Sequence, residues 1–166
     1  MNWFKTAKCK VNADELDKRL KSLAKSHPFF LRLLAKYKVP VSEVDKIKFD
    51  VADLGDKHAE ADAEHINFNQ NLFDDDDFFE NKIFFFVHEF YHWVKRIAEK
   101  KFYFNDPEEL ESFVLSIAWQ IIQGKDYESI KANIYPIVKG HFDKQDNADN
   151  LFNQMYEKAQ ILSNTF

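Results

Sequence analysis

His88, Glu89 and His92 stand together in the run IFFFVHEFYHW from Ile83 to Trp93. On a helix, positions i and i+4 lie one turn apart on the same side, so the two imidazoles can reach one ion. Zinc is the natural occupant of such a pair. A His-Glu-x-x-His pattern fixes only three positions in five, so the chemistry it implies needs a third ligand and a helix to hold it.

Periodicity supplies the helix. With Ile83 as reference direction, Val87, Phe90, Val94 and Ile97 form one apolar stripe, widened by Phe79 and Phe86. His88 and His92 point the other way, yet Phe84, Phe85 and Tyr91 flank them there. An uninterrupted helical pattern from about Phe78 to Lys100, apolar nearly all round in its middle, predicts a central buried helix. Two imidazoles and a carboxylate inside it are costly unless something satisfies them, and a divalent ion would.

The next helix supplies carboxylates. Asn105-Asp106-Pro107-Glu108-Glu109 predicts a helix start with Asp106 as cap and Pro107 in the first turn, running to about Gln123 and ending at Gly124. Leu110, Val114, Ile117, Ala118, Ile121 and Ile122 define its apolar arc, and Glu111 falls inside that arc. A carboxylate there needs a partner, whereas Glu108 and Glu109 are accounted for by the helix terminus. Glu111 is therefore the expected third ligand and Glu109 its alternative. Two His and one Glu leave a fourth zinc position for water.

Other candidates carry weaker signals. His58 and His65 are ligands on composition alone, and His27, before Pro28, reads as a helix-terminal residue. Asp74 to Asp77 lacks the spacing and central glycine of a calcium loop and reads as helix capping. Tyr103, Tyr127, Tyr135 and His141 are candidates for donating to a developing oxyanion. Phe85 and Trp93 could shape an apolar subsite, although both fit a core.

Elsewhere the chain predicts mostly helix. Asn12 with Glu15 is a capping-box pattern opening a first helix that ends near His27-Pro28, and a second runs from Pro28 to about Lys38. The two form an N-terminal hairpin within residues 1–40. Ile47 to Val51 and Ile66 to Leu72 alternate as strands, the second the candidate holder of a substrate backbone, with Asp53 to Glu64 a loop or poor helix between them. Two more helices follow, one opened by Asp126 and interrupted or ended by Pro136, the other from about Asn147 to Leu162.

The whole chain bounds the answer. Its 166 residues fit one domain, and 18 Phe predict an aromatic core. A net charge of -5 argues against nucleic acid or anionic membrane as partner. The single Cys excludes an internal disulfide and a thiolate cluster. The N-terminal run MNWFKTAKCK lacks the apolar stretch of a signal peptide, and nothing approaches the roughly 18 apolar residues of a membrane span, so a cytoplasmic protein is expected.

These residues resemble the gluzincin zinc metallopeptidases, which carry HExxH on one helix and a glutamate ligand on the next. HEFYH at His88 to His92 matches in full, and Glu111 stands at the separation of the larger members. PEELESFVLSIA, from Pro107 to Ala118, is similar to the glutamate helix of small bacterial and phage zinc proteases, with Ser112 where a small residue follows the ligand. Leu115 departs from the acidic residue of thermolysin-like enzymes, which makes minimal single-domain gluzincins the closer model. The resemblance implies a zincin-like α+β fold, mostly helical, of about six helices with a small two- or three-stranded sheet over residues 1–166. It implies a zinc hydrolase in which Glu89 is the general base and a peptide, or one cognate protein, is cut. The competing readings are a catalytically silent interaction or regulatory protein whose zinc ties two helices together, and a metal-free helical protein.

Overall fold

The computed structural model describes residues 11–100, 106–142 and 147–166. Six α-helices are present among them: α1 (Ala13–Ser26), α2 (Pro28–Lys36), α3 (Ile83–Glu99), α4 (Asp106–Ile122), α5 (Tyr127–His141) and α6 (Ala148–Ser163). Three strands, β1 (Lys48–Ala52), β2 (Ala59–Ala61) and β3 (His65–Asn69), form one sheet in the order β1-β3-β2. The arrangement matches a zincin-like α+β fold.

Helix starts follow the sequence cues. Asn12 accepts from the Asp14 and Glu15 amides at 3.0 and 3.2 Å and opens α1. His27 ends α1 and caps α2, where its Nδ1 accepts from the Phe29 amide at 3.2 Å. Asp126 caps α5 through the Ser129 amide at 2.8 Å. Gly124, at φ 78°, takes the left-handed turn that ends α4, which glycine adopts without a Cβ clash.

Five expectations need correction. α3 begins at Ile83, because Phe78–Lys82 forms a π turn ahead of it. Asp77 does not cap that turn, since its carboxylate instead binds Lys82 at 3.0 Å and Asn81 at 3.2 Å. α5 continues through Pro136 to His141. Ala132, whose carbonyl loses its intrahelical donor to the proline, lies with Pro136 on the exposed face, so water can satisfy it. Finally, the stretch read as a loop between the strands contains β2, pairing antiparallel with β3, while β1 pairs with β3 in parallel. β3 ends at Asn69 and is followed by a 3-10 turn, Gln70–Phe73.

One aromatic core holds the layers together. Phe30 of α2 lies 5.1 and 5.4 Å from Phe86 and Phe90 of α3, and 5.2 Å from Trp119 of α4. Phe49 of β1 meets Phe86 at 5.4 Å on the sheet side. Fully burying such a ring contributes about 1.5–3 kcal/mol. α3 is consequently gripped by the sheet, by α2 and by α4, with one flank left facing a cleft. No described helix is long and apolar enough to cross a membrane.

Candidate metal centre

The imidazoles of His88 and His92 meet at Nε2···Nε2 3.2 Å, as expected for i and i+4 on α3. The carboxylate that joins them is Glu109. Its Oε2 lies 3.3 Å from His88 Nε2 and its Oε1 3.1 Å from His92 Nε2. Zinc holds such ligands at about 2.0–2.1 Å, and tetrahedral angles then put neighbouring ligand atoms about 3.3 Å apart. Each carboxylate oxygen thus faces one imidazole at close to the spacing of neighbouring zinc ligands, and with one ligand atom taken from each residue the three lie within 4.8 Å of one another. Two imidazole nitrogens this close can share only one proton between them, whereas a cation satisfies both lone pairs.

Glu111, the third ligand expected from the sequence, is elsewhere. Its carboxylate accepts from Tyr91 at 2.6 Å, from Tyr37 at 2.9 Å and from Lys36 at 3.0 Å. The apolar arc correctly demanded a partner for it, but two tyrosines and a lysine fill that role. Burial raises the Tyr91 hydroxyl, helped by the Glu111 charge. Burial also pushes Glu111 up, but the Tyr91 and Lys36 bonds outweigh it and hold the carboxyl below its ordinary value.

Glu109 sits under the same opposing effects. Burial pushes it up, yet its bonds to His88 and His92 prevail and keep it ionised well below the usual carboxylate range. Ser112, one turn along α4, is fully buried; its Oγ donates to the Glu109 carbonyl at 2.7 Å and lies 3.0 Å from His88 Nδ1. Glu109, Ser112, Ser116 and Gln120 form a polar line at helical spacing down an otherwise apolar helix, with the last three almost wholly buried. That line was the sequence signal for Glu109. Small hydroxyl residues in register with it let α4 approach α3, as the Ser116 contact with the Phe84 carbonyl at 3.2 Å shows.

The donor atoms open into a cavity of about 450 Å³. Glu89 lines it beside the two histidines. Burial raises the Glu89 carboxyl, while the His88 and His92 charges pull the other way. One wall is β2 with His58 before it, and the His58 ring packs on Phe85 at 4.8 Å. The opposite wall is α5, contributing Ile134, Ile137 and His141.

Other candidates are sorted by the same cavity. His58 and Phe85 line it, but His58 is not part of the His-His-Glu cluster. His65 lies beside Asp62 at 3.6 Å and faces away, and Trp93 is buried against Phe90 at 5.2 Å. Tyr127 donates to Asn153 at 2.7 Å, and Tyr135 packs on Phe152 at 6.1 Å. Tyr103 and Cys9 lie outside the described residues.

The expected substrate strand is also replaced. β3 is paired on both sides, so its backbone is occupied; β1 and β2 are the edge strands, and β2 is the one that lines the cleft. Asn69 donates to the His58 carbonyl at 2.8 Å and Asp62 to the His65 carbonyl at 2.9 Å. Alternation along an antiparallel ladder then turns the backbone groups of Ala59 and Ala61 outward. Arg96 already takes the Ala61 carbonyl at 2.7 Å.

No family model, curated protein or solved structure matches the chain. The class rests on the site itself. His88, His92 and Glu109, spaced as HExxH plus a downstream glutamate, match the gluzincin zinc-protease motif, and the cluster is consistent with hydrolysis by zinc-activated water.

Proposed function

We propose that the protein is a zinc peptidase that cuts extended peptide segments, with His88, His92 and Glu109 as metal ligands and Glu89 as general base. The observation that carries this reading is the convergence of two imidazole nitrogens and the two Glu109 carboxylate oxygens, in contact at 3.1 to 3.3 Å, on the lining of an open cleft. Bound there, zinc would lower the pKa of water toward neutrality and polarise a carbonyl.

Everything else falls to the chain's own residues. Glu89, raised by burial, takes the proton of the attacking water and delivers it to the amide nitrogen that leaves. His141 stands across the cleft, separated from His88 by Phe113, whose ring lies 4.7 Å from His88 and 6.1 Å from His141. Of the four candidate oxyanion donors, His141 is the one that lines this cavity among the described residues.

The free edge of β2 supports an extended substrate bound through its backbone. His58 lies by Phe85 and Ala61 by Arg96, so β2 runs in the same direction as α3. A peptide pairing antiparallel to β2 directs its C-terminal half toward Phe84, Phe85, Phe113, Ile134 and Ile137. That apolar end accepts a large apolar side chain on the leaving-group side of the scissile bond.

Glu89→Gln tests the assignment. The variant is expected to keep its zinc and to lose turnover by about 10²–10⁴-fold on a peptide library. Full activity in Glu89→Gln would refute the role given to Glu89. Zinc in the wild type with no cleavage of any peptide would leave the silent, zinc-stabilised protein instead.

A further inference from the structure

We propose that Glu111, which reaches neither histidine, is a positioning residue that fixes where Glu109 stands by clamping the opposite flank of α4. The inference rests on the reading of His88, His92 and Glu109 as a zinc site. Two residues apart on a helix means about 200° apart around its axis. Ser112 and Leu115 fall between the two carboxylates on the side turned to α3, both buried. The seam between α3 and α4 therefore has one carboxylate on each flank.

On the cleft flank Glu109 faces the two histidines. On the rear flank Glu111 is held by Tyr91 of α3, which directly precedes His92, and by Tyr37 and Lys36 at the end of α2. Glu111 does not line the cleft. Its donors come from two different elements, so the contact ties α4 to the helix that carries the imidazoles and to the N-terminal pair of helices.

A helix can roll about its own axis unless contacts on its flanks resist it, and the Ser112 and Ser116 contacts of α4 lie on the seam itself. Rolling α4 by about 20° would carry a carboxylate about 6 Å from its axis through about 2 Å. Metal–ligand distances tolerate only about 0.2 Å. A charge-assisted hydrogen bond from a buried tyrosine on the far flank opposes that roll. Lys36 adds less, because its side chain is 60% exposed and surface ion pairs contribute little. The tyrosines, then, carry the clamp.

The test is the zinc affinity of the folded protein, read by competition with a chromophoric chelator, beside the melting temperature of the zinc-free chain. Glu111→Ala is expected to bind zinc about 10–100-fold more weakly than the wild type. Tyr37→Phe should lose less, and Glu111→Gln, which keeps an acceptor oxygen, should recover part of the loss. A residue with a merely structural role would lower the melting temperature and leave affinity unchanged. That result overturns the proposal and leaves the metal site standing. A wild type that takes up no zinc would instead overturn the site reading and this inference with it. Where Glu111→Ala fails to fold, Glu111→Gln and Tyr37→Phe carry the same comparison, and unchanged affinity in both overturns the clamp.

Discussion

His141 belongs to a helix that otherwise has nothing to do with the ligands, and it enters the cleft only because α5 runs past Pro136. Removing one oxyanion donor typically costs about 10²–10³ in kcat. His141→Ala should show such a fall with its zinc content intact, while Tyr135→Phe, remote from the cleft, should match the wild type; equal kcat in both variants would remove His141 from the mechanism. His88, Glu89 and His92 were legible in the sequence because their relation is internal to one helix. Choosing between Glu109 and Glu111 depends on which flank of α4 faces α3, a relation between helices. Glu109 was disguised as an ordinary first-turn acid, and the polar line it heads with Ser112, Ser116 and Gln120 was the cue that separated it from Glu111.

At the scale of elements, four of the helices kept close to the bounds their caps and apolar spacing predicted, while α3 began later, behind a π turn, and α5 outran its proline. β2 was invisible because it is three residues long, built on Ala59 and Ala61, and formed only by pairing with β3. Neither propensity nor hydrophobic alternation marks such a strand. Yet it is the edge strand that lines the cleft. The Ala59 amide points away from β3, so proline there removes a donor from the cleft without breaking the ladder. Ala59→Pro is expected to raise KM for extended peptides while zinc content and melting temperature stay near the wild type. An unchanged KM would mean that substrate does not pair with β2.

For the molecule as a whole, the aromatic core explains why a catalytic cluster can sit so near the centre of a 166-residue chain. The sheet and α2 brace α3 from behind, Glu111 links α4 to that brace, and α5 supplies a further wall of the cleft onto which His88, Glu89 and His92 open. The composition foretold the core, whereas the crossing of α3 and α4 that selects the ligands could be seen only in three dimensions. Elemental analysis of the protein purified without chelator, for the wild type beside Glu109→Ala, tests this directly. The account predicts about one zinc per chain in the wild type and its loss in Glu109→Ala; a wild type without zinc, or a Glu109→Ala protein that holds zinc as tightly as the wild type, would contradict it.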